Sequence, residues 1–116
     1  MPCDIVDARD LARQLDGATT VELMHYTKLE VAGRTFGYLW EPTCTMGLRQ
    51  TIAEQRALVG ERPEVFEVQF TAYGYGWVVV HLDGVERDEL AELVFEAWRL
   101  SAPVQLLDSR GERLPV

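Results

Sequence analysis

The chain predicts an α+β domain of two layers, with helices packed on an antiparallel five-stranded sheet in the order α-β-β-β-α-β-β-α. Three observations lead there. From Val65 to Ala72 the residues alternate without a break, Phe66, Val68, Phe70 and Ala72 against Glu67, Gln69 and Thr71; period two with one polar face is a half-buried antiparallel strand. From Asp88 onward Leu90, Leu93, Val94, Ala97 and Trp98 fall at i, i+3, i+4, i+7 and i+8 in one apolar stripe at helical spacing. Between the extended stretches lie only short glycine turns, such as Ala32-Gly33-Arg34 and Asp83-Gly84, and short turns join neighbouring strands into meanders.

Taken in order, a first helix is expected over about Val6 to Leu15, with Ala8, Leu11, Ala12 and Leu15 as its stripe. Asp4 or Asp7 caps it and Asp16-Gly17 ends it. Thr19 to Val31 reads as mostly extended, with a strand from near His25 to Val31. A strand from Thr35 to Glu41 puts Phe36, Tyr38 and Trp40 on one face. Pro42 breaks it, and Thr43 to Leu48 resumes with Cys44, Met46 and Leu48 on one side. A second helix fits Thr51 to Val59, capped by Thr51 and stopped by Gly60. After the Val65 strand, Tyr73-Gly74-Tyr75-Gly76 forms a hairpin loop. Trp77 to Leu82 is apolar on both faces, so it is expected to be central and covered on both sides. The last helix begins with Glu86, Asp88 and Glu89, the sign its dipole favours, and Pro103 stops it after Leu100. The domain is therefore expected to span residues 1–106, followed by a loose tail over 107–116.

Composition bounds the function. At 116 residues and 47% apolar content this is one domain with a real core. Nineteen acids against eleven bases give a net charge of −8, which repels phosphate backbones on average. No apolar run reaches the roughly 18 residues of a membrane span, and the acidic start MPCDIVDARD is unlike a signal peptide, so a soluble cytoplasmic protein is expected. Cys3 and Cys44 are far apart and outside any CxxC, which points to reduced thiols rather than a disulfide framework or zinc site.

The segments KLEVAGRTFGYL (Lys28 to Leu39), GWVVVHLDG (Gly76 to Gly84) and DELAELVFEAWRLSAP (Asp88 to Pro103) together resemble the MmcQ/YjbR-like family, also described as DUF419-type. The likeness covers nearly the whole chain up to about Leu106. It implies a compact α-β3-α-β2-α domain similar to the secretion-chaperone fold. It also implies DNA binding, from a double-wing reading of the two hairpins, and supplies no catalytic residues. This chain departs from the pattern at the second hairpin: where relatives often carry a basic residue before the tryptophan, it has Tyr73-Gly74-Tyr75-Gly76. Arg34 keeps the charge of the first.

Two candidate sites follow, each with a plain structural alternative. From Lys28 to Arg62 five bases face four acids, a local +1 in an acidic chain. Lys28, Arg34 and Arg49 are the candidate phosphate contacts for DNA; otherwise they are solvated surface charge. Tyr38, Trp40, Tyr73 and Tyr75, with Phe36 beside them, are the candidate lining for stacked bases, a small molecule or a protein partner; otherwise they cover a sheet edge, and Trp77 is expected in the core. Gly74-x-Gly76 lacks the further glycine and lysine of a phosphate loop. His25 and His81 lack metal-ligand spacing. Cys44 with a distant histidine is a conceivable nucleophile pair, but mid-strand it reads as a buried thiol. The acids of the last helix read as its solvated surface. The sequence thus points to a non-enzymatic binding domain with no cofactor. Nucleic acid is the leading partner class, and a small molecule or protein is the second.

Overall fold

A computed structural model describes residues 1–116. The elements are α1 (Ile5–Arg13), β1 (Ala18–Glu22), β2 (Thr27–Val31), β3 (Arg34–Trp40), β4 (Thr45–Thr51), α2 (Ile52–Glu61), β5 (Phe66–Ala72), β6 (Tyr75–His81), α3 (Arg87–Arg99) and α4 (Val104–Arg110). The two-layer α+β architecture is as expected, but the sheet has six strands rather than five, in the order β1-β2-β3-β4-β6-β5 with every pairing antiparallel. The added strand is β1. Its β-branched run Thr19-Thr20-Val21 pairs with β2, and the loop between them closes with the Leu23 amide donating to the Tyr26 carbonyl at 2.9 Å.

Local chemistry sets the helices. Asp4 caps α1 in a reciprocal box with Asp7, each side chain accepting the other's backbone N–H at 3.0 Å. The Thr51 hydroxyl accepts from the Glu54 amide and caps α2, which runs through Gly60 rather than stopping there. In α3 the whole stripe Leu90, Leu93, Val94, Ala97 and Trp98 is buried. It packs with Leu11, Leu29, Leu39, Met46, Leu48, Val78 and Val80 in one core between the helices and the sheet. Burying each such side chain is worth about 1.5–3 kcal/mol. The Trp98 indole N–H reaches the Asp16 carbonyl at 2.9 Å, so its polar end is satisfied.

Two bulges reset the faces. On β3, Gly37 pairs with Leu29 and Thr35 with Glu30, leaving Phe36 as the extra residue; adjacent side chains of a bulge share a side, so Phe36 turns into the core, fully buried. On β5, Val68 pairs with Val78 and Phe70 with Trp77, leaving Gln69 extra. β5 is moreover an edge strand, so its expected buried face fails beyond Phe66: Val68 and Phe70 are exposed.

The remaining differences are at turns and ends. Both hairpins, β2–β3 and β5–β6, close through two residues of positive φ, Ala32-Gly33 (51° and 78°) and Tyr73-Gly74 (52° and 84°), the backbone of type I′ turns. The second loop is therefore two residues, with Tyr75 and Gly76 already in β6. Cys44 is not mid-strand: it follows a 3₁₀ turn (Glu41–Thr43) at φ 53°, half-buried. The tail expected to be loose forms α4. There Arg110, only 7% exposed, donates to the carbonyls of Gln14 (2.8 Å) and Arg113 (2.7 Å) and pairs with Asp16 (2.9 Å).

Candidate functional site

All four helices leave one sheet face uncovered, and side chains opposite one another across an antiparallel pair share a face. The registers Lys28↔Tyr38, Tyr38↔Gly47 and Arg49↔Trp77 therefore place Lys28, Tyr38, Gly47, Arg49 and Trp77 on adjoining strands of one face. It is the face opposite Met46, Leu48 and Val78, which pack in the core. Trp40 and Tyr75 join by strand alternation.

The rings touch. Tyr38 stacks on Trp40, centroids 5.8 Å apart with planes 18° apart, and meets Tyr26 at 5.9 Å and Trp77 at 5.5 Å. Phe70 stacks on Trp77 at 5.2 Å. One chain of aromatic contacts thus crosses the sheet from the β1–β2 loop to the β5 edge. Trp77 is buried, as expected of it, but by these rings on the open face and not by a helix. Gly47 keeps the face flat: a Cβ there would lie 2.9 Å from the Trp40 ring and would collide with the Gln69 amide.

Arg49 lies within this array. Its guanidinium is 4.7 Å from the Tyr75 ring centroid and 5.2 Å from that of Trp77, a double cation–π contact. It forms no ion pair, and its buried Nε has no partner. Burial holds its pKa below the ordinary arginine value; the Tyr75 hydroxyl opposes that shift and the nearby Arg34 adds to it. Gln69 Oε1 is a second buried atom without a partner. Lys28 and Arg34 are likewise free of ion pairs, whereas Arg9, Arg62, Arg87, Arg99 and Arg110 are each tied to a carboxylate. Only three of the nineteen acids lie in strands, Glu22, Glu30 and Glu67. Glu22 is held by Arg9 and Glu67 by His81.

Of the residues singled out from sequence, Tyr38, Trp40, Tyr75, Lys28 and Arg49 come together on this face. Arg34 begins β3 at the tip of the first hairpin. Both hairpin tips lie at one end of the sheet, because Thr51, next to that end of β3, pairs with Tyr75. Tyr73 is 99% exposed at the second tip, away from the rings, and Phe36 is in the core. Tyr26, Gln69 and Phe70 were missed; Phe70 showed only a buried-strand pattern, and Tyr26 had no periodic signal. At the other end of the face, beside Trp40, a shallow open depression of about 480 Å³ is lined by His25, Trp40, Thr43, Thr45, Gln69 and Val79 among others.

Comparison with known proteins gives a family match for the chain and a fold match. The YjbR family model matches residues 13–100. A crystal structure of a Deinococcus radiodurans protein with a DUF419 domain superposes with a TM-score of 0.74 at 19% identity, over 86% of this chain and 80% of that one. At that identity the likeness speaks for the fold alone. No curated protein sequence matches the chain.

Proposed function

Since the chain belongs to the YjbR family, we propose that it is a binding domain rather than an enzyme, and that its helix-free sheet face receives nucleic acid. Lys28, Arg34 and Arg49 would meet phosphates, and Tyr38, Trp40 and Tyr75 would meet bases. The observation that carries this reading is Arg49. A guanidinium partly stripped of water, without a carboxylate and lying among aromatic rings, has unspent capacity for an anion. Nucleic acid offers anions and π faces at repeating intervals, which suits a surface where cations and rings interleave.

The test is a salt titration of binding to a labelled oligonucleotide holding both single- and double-stranded segments. Three phosphate contacts correspond to a slope of about −2 to −3 in log K against log salt. Arg49→Gln is expected to weaken binding by about 1.5–3 kcal/mol, the range for a hydrogen bond to a charged group. No binding at about 50 mM salt, or binding without a salt slope, refutes the reading.

A second reading rests on the open depression beside Trp40. Its volume suits a small planar molecule, with His25, Thr43 and Gln69 as polar groups around one ring. A thermal-shift screen separates the two. A small ligand at 100 times its Kd adds about 2.7 kcal/mol of stability, and Trp40→Ala abolishes that gain.

A further inference from the structure

Resting on the nucleic-acid reading above, we infer that the strand this face accepts is single. The argument is from what the face displays. Its rings gather on one half-exposed surface: the planes of Tyr38 and Trp40 are 18° apart, and Gly47 leaves no side chain standing between Trp40 and Gln69. Half-exposed rings recognise the faces of bases, and a duplex keeps those faces inside its own stack.

The cations point the same way. A duplex is met by cations that stand proud of a surface and reach phosphates on a rigid, convex cylinder. Here Arg49 is sunk among Tyr75 and Trp77, and Lys28 is half-buried on β2. A flexible single strand can lower a phosphate into such a site while its bases splay onto the neighbouring rings. The hairpins also fail the demands of a paired groove reader. Both tips project from the same end of the sheet, but the first carries Arg34 and the second a neutral, fully exposed Tyr73. The open depression at the other end adds a place for an unstacked base, where Trp40 supplies a face and His25 and Thr43 polar groups at the rim. Of the cations, Arg34 and Arg49 lie toward the hairpin tips, whereas Lys28 lies opposite Tyr38, nearer the base site beside Trp40. This chemistry is shared by DNA and RNA single strands.

Fluorescence anisotropy of the full chain with three labelled probes tests the inference at about 50 mM salt. The probes are oligothymidylate and oligouridylate of about 12 nucleotides, and a duplex of the same length. At least one single strand is expected to bind about tenfold or more tighter than the duplex, with a salt slope near −2 for three contacts at about 0.7 each. A tighter grip on oligothymidylate or on oligouridylate identifies the source as DNA or RNA, and equal binding identifies a site blind to the sugar 2′-hydroxyl. Trp40→Ala is expected to lower single-strand affinity about 5- to 150-fold, the equivalent of one lost stack. Lys28→Gln should flatten the slope by about 0.7. Arg56→Gln, which removes an exposed charge from α2, should change neither. Circular dichroism melts of each variant separate lost binding from lost folding. A duplex bound as tightly as either single strand overturns the inference and leaves the nucleic-acid reading standing. Absence of binding to all three probes overturns both.

Discussion

Replacing Gln55 by methionine should cost this domain a large part of its stability, although the side chain keeps its length and touches no ligand face. Gln55 is 3% exposed on the inner side of α2. Its Nε2 donates to the carbonyls of Trp77 (2.8 Å) and Phe70 (3.2 Å), and its Oε1 accepts from the Thr71 hydroxyl (3.3 Å). The Phe70 carbonyl lies beside the β5 bulge, where the ladder to β6 is interrupted. A buried acceptor left without a donor costs about 1–3 kcal/mol, so orphaning two gives about 2–4 kcal/mol after partial relaxation. In urea that lowers the unfolding midpoint by about 1–2 M at an unchanged m-value. Gly76 supplies an internal check: a Cβ there would lie 2.7–2.8 Å from Gln55 atoms and force the amide away. Gly76→Ala should therefore reproduce much of the loss, and the double variant should fall well short of the sum. A loss below about 0.5 kcal/mol for Gln55→Met, or strict additivity with Gly76→Ala, would refute the assignment of Gln55 as the partner of the bulge.

Other predictions follow from single contacts. Gly47→Ala places a methyl against the Trp40 ring and the Gln69 amide; it should cost about 1 kcal/mol in stability, because both neighbours can shift toward solvent, yet change Trp40 fluorescence and ligand affinity. Arg110→Ala removes the contacts to Gln14, Asp16 and Arg113 and should destabilise by about 2–3 kcal/mol in thermal melts, whereas a loose tail would lose nothing measurable. Burial, with Asp7 nearby, pushes the Cys3 thiol up to about 11 from its ordinary 9.0. The folded state thus holds this proton more tightly than the unfolded one, and the contribution of Cys3 is complete below pH 9 and is lost as pH rises toward 11. Stability curves for the wild type and Cys3→Ala should converge over that window; parallel curves would show that the thiol is not desolvated.

What could be read from sequence was what neighbouring residues determine. The α3 stripe, the Asp4 cap, for which Asp7 was the other candidate, and the Thr51 cap depend on residues within two turns of one another, and all are where local chemistry puts them. The errors in the sheet share one cause, which is that strand faces are fixed by partners far along the chain. Phe36, Tyr38 and Trp40 obey period two in isolation, but the bulge against Leu29 and Glu30 slips Phe36 into the core. The alternation of β5 looked regular, yet its place at the sheet edge and the extra Gln69 decide which residues are covered. Trp77 was recognisable as buried, but the identity of its cover was not, since Tyr38 and Phe70 come from different strands. At seven residues α4 is too short for periodicity to stand out, and it is held by tertiary contacts such as Leu106 over Gly17. The cluster Lys28, Tyr38, Trp40, Arg49 and Tyr75 could be assembled as candidates from residue type, but only the sheet order puts them side by side.

The net charge of −8 and the proposed phosphate-binding face are compatible because they act over different distances. At physiological salt, fields between exposed charges decay over about 8 Å, and the domain is 28 Å across even its shorter axes. A phosphate on the open face would therefore respond to Lys28, Arg34, Arg49, Glu30 and the His81-paired Glu67 far more than to the acids of α1 and α3 beyond the sheet. A phosphate still in solution meets the whole acidic molecule. Association with an oligonucleotide should accordingly be slowed by far-field repulsion, and added salt should leave kon level or raise it while koff rises more steeply. Affinity then falls with salt through koff alone. Stopped-flow measurements between about 20 and 200 mM salt read both constants. A kon that drops steeply with salt, as in steered association, would mean that the attractive field reaches well beyond the sheet face, and the separation of acidic helices from a basic face would be the wrong account of how this domain holds an anion.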